Sequence, residues 1–386
     1  LRALGGNKCD IWAVKLSQEG NIEWQKIFAG DYLDLAWWIE PTKDGGYILA
    51  AITMSFGLVG DHTILVTKLN HNGSIAWAKD YYSSTVDLES EGEIIQTSDG
   101  GYILTGITIG FGTDLFVFKL SSSGAVEWAY TYASGYEDEA HTIRETKDGG
   151  YIVFGETQTA SEEDLWLIKL NNSGAVEWQK IYGGSKSDGI KLCNLTADGG
   201  YILTSHTRSF GAPGDIWDAW LLKLDQLGDI QWQKVLRGSG DDEIWHIQQT
   251  ADGGYITAGG TSSFEENGDI WVVKLDQSGN VQWQRTYGGA NADGGGIIRQ
   301  LNDGGYLLLG ETNSFGAGGW DPWVLKLRPD GSCPPFGTPV STEVIDTSVV
   351  PGSVAYTRAT LDVVTKDVTS EITVSKLTGV EVQQQN

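Results

Sequence analysis

The tetrapeptide Asp-Gly-Gly-Tyr recurs six times along the chain, beginning at Asp44, Asp99, Asp148, Asp198, Asp252 and Asp303, with spacings of 55, 49, 50, 54 and 51 residues. A second phrase keeps step with it. Lys-Leu begins at Lys15, Lys68, Lys119, Lys169, Lys223, Lys274 and Lys326. Each of these lysines is followed five residues later by glycine and, from Trp24 to Trp283, nine residues later by tryptophan. A period of this size marks a repeat architecture, in which each unit buries its apolar surface against its neighbours.

Each unit carries four strand signals. The first follows an acidic residue ten positions before the tetrapeptide: Asp34, Glu89, Asp138, Asp188, Asp242 and Asp293. Asp-Gly-Gly then reverses the chain, because glycine accepts the positive φ of a tight hairpin. The second strand has the form Tyr-Ile-Leu-Thr-Gly. The third has the form Asp-x-Trp-Val-Val-Lys-Leu, with tryptophan at Trp12, Trp166, Trp220, Trp271 and Trp323 and with Leu65 and Phe116 in the other two units. The fourth reads Val-Glu-Trp-Gln-Lys-Ile-Tyr. Repeated four-stranded antiparallel units predict an all-β fold, a β-propeller. Seven third strands point to seven blades, with Leu1–Gly5 ending a second strand of the closing blade; six or eight blades also fit the counts. The propeller is expected over residues 1–332. The pattern stops at Gly331, and residues 333–386, β-rich and poor in aromatics with alternation at 354–364 and 371–382, are expected to be a C-terminal tail: closure strands, a small β module or a segment that pairs with another chain.

The formal charge of −25 repels nucleic acid and anionic lipid and favours cations and basic partners. No apolar run is long enough to span a bilayer. Cys9, Cys193 and Cys333 fall at unrelated places in the repeat and make no zinc-binding pattern. The opening Leu-Arg-Ala-Leu-Gly-Gly reads as the middle of a repeat, so no signal peptide is expected within the chain.

The Lys-Leu-x-x-x-Gly-x-x-x-Trp phrase resembles the tryptophan-docking motif of quinoprotein-type propellers. Together with Asp-Gly-Gly-Tyr and Asp-x-Trp-Val-x-Lys-Leu, it resembles the tandem repeats of secreted bacterial and archaeal β-propeller proteins. The resemblance covers about residues 1–332. It implies an extracellular or cell-surface location, often beside adhesion-like modules, and implies packing roles for the recurring tryptophans. The adjacent cysteines that many quinoprotein dehydrogenases set against their cofactor are missing, and no cofactor is required by any motif.

Positions that vary within a constant frame are the candidates for binding. Three residues after the acidic series stand Trp37, Gly92, His141, Lys191, Trp245 and Gly296; one residue further stand Trp38, Glu93, Thr142, Leu192, His246 and Ile297. Trp37, Trp38, His141, Trp245 and His246 combine aromatic and hydrogen-bonding groups and are the candidate ligand surface, with the loops over 209–217 and 315–320 beside it. The acidic series itself (Asp34, Glu89, Asp138, Asp188, Asp242 and Asp293) offers oxygens to Ca²⁺; loop capping by the same carboxylates is the competing reading. No nucleophile elbow, zinc-protease motif, phosphate loop or sialidase Asp-box is present.

The leading expectation is therefore a non-enzymatic binding or scaffold module whose partner is an extracellular protein or glycan. Two alternatives stand beside it. One is a subunit of a filament or surface layer, assembled by strand addition through residues 338–386. The other is a carbohydrate-active enzyme, which needs two carboxyls facing one cleft.

Overall fold

The computed structural model describes residues 10–17, 21–56, 62–89, 92–110, 112–158, 162–211, 213–214, 216–264, 267–316, 318–340, 342–347, 357–360, 364–367 and 373–375. The fold is all-β, and its elements are those of a β-propeller. Blade 1 consists of Asp34–Pro41, Tyr47–Thr53, Thr63–Leu69 and Ile75–Tyr82. Blade 2 consists of a first strand in two pieces, Asp87–Glu89 and Ile94–Gln96, then Tyr102–Ile109, Thr113–Leu120 and Val126–Ala133. Blade 3 is Asp138–Glu145, Tyr151–Gln158, Glu163–Leu170 and Val176–Tyr182; blade 4 is Asp188–Leu195, Tyr201–Thr207, Asp218–Leu224 and Ile230–Arg237. Blade 5 is Asp242–Gln249, Tyr255–Thr261, Asp269–Leu275 and Val281–Tyr287; blade 6 has three strands, Asp293–Gln300, Tyr306–Thr312 and Asp321–Leu327.

Among the described residues the count is thus six blades, where the seven third strands favoured seven with six allowed. The remaining sheet holds Ile11–Leu16 and Ile22–Ala29, a third and a fourth strand with no first strand among the described residues. Leu1–Gly5, read as the end of a second strand, and Cys9 lie outside the described residues. Cys193 and Cys333 are free thiols. Among the described residues, no helix is long and apolar enough to cross a membrane.

The chain divides into two compact units, Leu1–Thr157 with Ile168–Trp178 and Val354–Asn386, and Gln158–Leu167 with Gln179–Ser353. In the first, Ile48, Ile64 and Tyr81 of blade 1 and Leu104, Phe116 and Phe118 of blade 2 form one buried cluster. In the second, Ile202 and Leu221 of blade 4 pack with Ile244, Trp271 and Val273 of blade 5. Both cores lie between successive blades, as the alternating apolar residues of the two middle strands require.

The two repeated phrases turn out to be one device. In the Asp-Gly-Gly turn of blade 1, Asp44 Oδ1 accepts hydrogen bonds from Thr42 Oγ1 at 2.5 Å and from the Gly46 amide at 3.0 Å, while Gly45 takes φ 78°. Lys68 of the third strand donates to Asp44 at 2.9 Å and to the Leu69 carbonyl at 2.9 Å. The same ion pair recurs as Lys119–Asp99, Lys169–Asp148, Lys223–Asp198, Lys274–Asp252 and Lys326–Asp303, at 2.8–3.0 Å.

Tryptophan docking links consecutive sheets. Trp77 meets Tyr102 of the following blade edge-on at 5.8 Å, and Trp24–Tyr47, Trp128–Tyr151, Trp232–Tyr255 and Trp283–Tyr306 repeat the contact at 5.7–6.0 Å. The glycine of the Lys-Leu phrase makes room for it: Gly124 has φ 74°, and a Cβ there would lie 3.0 Å from the Trp77 ring. Four residues after the indole, Tyr81, Tyr132 and Tyr182 donate their hydroxyls to the carbonyls of Gly124, Gly174 and Gly228 at 2.6–2.7 Å. Trp166, Trp220 and Trp271 of the third strands are fully buried, and Phe210 packs on Trp220 from the preceding Ser-Phe-Gly loop at 5.1 Å.

The C-terminal segment supplies outermost strands to five sheets. In the second unit Thr338–Pro339 pairs with Val281–Tyr287, and Glu343–Asp346 pairs with Ile230–Arg237. In the first, Thr357–Thr360, Val364–Asp367 and Thr373–Ser375 pair with Val126–Ala133, Ile75–Tyr82 and Ile22–Ala29. All five pairings are antiparallel and all are made to fourth strands, and within each unit the added strands meet the sheets in reverse chain order. A segment too poor in aromatics to build a core is held by backbone ladders instead, and it covers edges that would otherwise be open. Arg358 adds a side-chain tie, its guanidinium 3.4 Å from the Tyr130 ring centroid.

Candidate functional site

In five blades the acidic series opens the first strand directly opposite a threonine at or next to the end of the second: Asp34–Thr53, Asp138–Thr157, Asp188–Thr207, Asp242–Thr261 and Asp293–Thr312; Glu89 instead faces Ile107. The carboxylates of the series serve their own blades. Asp34 accepts from Thr53 Oγ1 at 2.5 Å, Ser55 Oγ at 2.9 Å and the Gly30 amide at 3.0 Å. Asp188, Asp242 and Asp293 repeat the threonine bond, and Ser263 and Ser314 repeat the serine bond at 2.8 and 2.6 Å. Glu89 pairs instead with His62 Nδ1. Burial pushes the Asp34, Asp138, Asp188 and Asp242 carboxyls up, and these hydrogen bonds oppose it. The series therefore caps loops. Among the described residues, its members do not come together as three ligand atoms within reach of one ion.

The variable positions have a structural identity that spacing alone does not show. The ladder between first and second strands slips between Ala36 and Trp38, Ala140 and Thr142, Ile190 and Leu192, and Ile244 and His246. Trp37, His141, Lys191 and Trp245 are thus the extra residues of β-bulges. A bulge leaves its residue outside the pairing and re-aims its side chain. Trp37 is 46% exposed, and His141 and Trp245 are half-buried.

The next position behaves differently. Trp38 packs half-buried against the core of blades 1 and 2. His246, expected on a ligand surface, is 2% exposed, and its Nε2 lies 2.7 Å from Arg299 Nη1 of blade 6. It belongs to the blade-to-blade contact, as does Glu93, which is held by Arg144 with an Nη2–Oε1 distance of 2.8 Å. The register explains the correction: the residue after the bulge re-enters the ladder and turns inward.

In the second unit the bulge positions of blades 4 and 5 converge. Glu243 Oε2 accepts from the Trp245 indole at 2.7 Å and lies 3.1 Å from Lys191 Nζ. Across the sheet from Gly189 stands His206, whose ring meets Trp217 edge-on at 4.1 Å. A side chain at Gly189 would collide with that imidazole, its Cβ 2.2 Å from Nε2. Arg208 lies over the Trp217 ring at 4.0 Å, a cation–π contact. Backbone bonds fix Trp217 at the entrance of blade 5: its amide donates to Asp241 at 2.8 Å and its carbonyl accepts from the Asp242 amide at 2.7 Å. Burial would raise the Glu243 carboxyl, but Lys191, the Trp245 indole and His206 hold it below the usual carboxylate range.

Of this cluster, sequence reasoning selected Trp245, noted Lys191 and placed the loop ending at Trp217 beside it, and it missed Glu243, His206 and Arg208. The available signal was the residue directly after the acidic series together with its cross-strand partner. That pair varies as Gly189–His206, Glu243–Gly260 and Gly294–Glu311 while its neighbours stay constant. The arrangement can stack a flat or ring-shaped group on indole and can place cations beside it. Glu243, ionised and paired, is not poised to donate a proton. No family model matches the chain, and no curated protein matches it.

Proposed function

We propose that the chain is a binding module, extracellular or at the cell surface, whose ligand surface is the Trp217–Trp245 cluster of blades 4 and 5. The observation that carries this reading is the column Arg208–Trp217–His206 beside the Lys191–Glu243–Trp245 network. In a chain with a formal charge of −25, Lys191 and Arg208 are cations gathered around two indoles. That chemistry suits a glycan carrying an acidic group: the indoles take the apolar face of a sugar ring, and the cations take the carboxylate or sulfate. The ionised, paired state of Glu243 favours recognition over hydrolysis, which needs one protonated carboxyl.

The test is a panel of neutral and uronic-acid-bearing oligosaccharides offered to the intact chain, with Trp217→Ala and Trp245→Ala alongside. Binding of acidic members that both variants weaken supports the reading. Absence of binding across the panel, or binding that both variants retain, overturns it.

A further inference from the structure

Blade 3 departs from its neighbours at one pair of positions. Glu139 and Glu156 are direct cross-strand partners in the first two strands, and like charges set opposite each other cost stability. In blades 4, 5 and 6 one side of this pair is glycine: Gly189 faces His206, Gly260 faces Glu243 and Gly294 faces Glu311. The bulge of blade 3 adds His141 to the two glutamates, and one ligand atom from each of the three lies within 4.8 Å of the others. His141 Nε2 is shielded from solvent and makes no short hydrogen bond; the neighbouring imidazole holds the Glu139 carboxyl below its ordinary range. Its 3.6 Å separation from Glu139 Oε2 is too long for a hydrogen bond.

We propose that Glu139, His141 and Glu156 bind a divalent transition-metal ion of the zinc class. An ion there would bond the imidazole nitrogen directly and bridge the two facing carboxylates. A nitrogen ligand in a set of three favours zinc-class ions over Ca²⁺, which takes six to eight oxygens. Three protein ligands leave a position open for water or for an added group. The site is separate from the acidic series, whose Asp138 is bonded to the Ser134 amide at 2.6 Å.

The experiment is calorimetric titration of the chelator-treated full chain with zinc chloride, followed by the same titration with Glu156→Gln and with His141→Gln. Substitution by glutamine keeps side-chain volume at Glu156 while removing the charge that a cation would bind. The expected result is one tight equivalent of zinc in the parent, weakened by roughly tenfold or more in each variant, and a zinc-dependent rise in melting temperature that both variants lose. Cobalt provides a second readout, since ligand-field absorption bands of a protein-bound ion should vanish in both variants. Parent protein that takes up no zinc at micromolar free metal overturns the proposal. So does uptake that both variants retain, which would place the ion at another pair such as His62–Glu89.

Discussion

Lys223 extends its ammonium 2.9 Å from Asp198, so that a side chain only 5% exposed depends on one that is 51% exposed. The two partners are unequal, and their substitutions should be unequal too. Asp198→Ala leaves a buried ammonium held by the Leu224 carbonyl at 2.9 Å and removes the turn's internal acceptor. It should cost about 2–3 kcal/mol, the lower end for a broken buried pair because the aspartate side is solvent-screened. Lys223→Met replaces the ammonium with an apolar group of similar length and should cost under about 1 kcal/mol. Urea denaturation of both variants checks the order; equal losses would contradict it.

The same turns set an acid response. At Asp99, Asp148, Asp198 and Asp252 burial pushes the carboxyl up, but the threonine hydroxyl, the lysine and the glycine amide outweigh it and bring each down to about 2. A depressed carboxyl stabilises the fold above its unfolded value, near 4, and that contribution is lost as pH falls through about 2. The raised carboxyls of Asp34, Asp138, Asp188 and Asp242 act in the opposite sense, since their protonation on acidification relieves a buried charge. Asp198→Asn should therefore flatten the stability curve between about pH 4 and 2, whereas Asp188→Asn should steepen it relative to the parent at higher pH. Denaturant unfolding across this range distinguishes the two signs.

Gly124→Ala should destabilise by about 1–3 kcal/mol, because it forces an L side chain to φ 74° and toward the Trp77 ring. Gly112→Ala meets nothing within 4 Å and should be neutral within about 0.5 kcal/mol. Thermal unfolding of the pair separates docking strain from a general glycine effect, and equal shifts would argue against docking.

Deleting residues 338–386 should raise the particle mass. The fourth strands that accept Thr338–Pro339, Glu343–Asp346, Thr357–Thr360, Val364–Asp367 and Thr373–Ser375 would then present open edges to other molecules. A filament built through the tail requires the reverse, assembly lost on deletion. Light scattering over a concentration series gives the answer, and a deletion protein of unchanged mass would show that these edges need no cover.

The repeat made blade boundaries legible because each phrase has a local cause: a threonine two residues before Asp44 to close the turn, a lysine to pair with it, a glycine under Trp77. Bulge positions were legible as variation, since a residue outside the ladder is free of the ladder's demands. What escaped was relational. Nothing within the first strand of blade 5 distinguishes the outward-facing Trp245 from the buried His246, because Arg299, which claims the imidazole, belongs to another repeat. Glu243 and Lys191 likewise meet across blades. The tail showed alternation but not its partners, for backbone ladders accept almost any side chain at a sheet's outer edge.

The β-bulges carry a consequence for redesign. Since Trp37, His141, Lys191 and Trp245 stand outside the register, each can be exchanged without rewriting the strand that carries it. The fold thereby separates an invariant chassis from a small set of interchangeable sockets, one in each of blades 1, 3, 4 and 5. A new specificity could be written into this chain at those sockets alone, leaving every signature phrase of the repeat untouched.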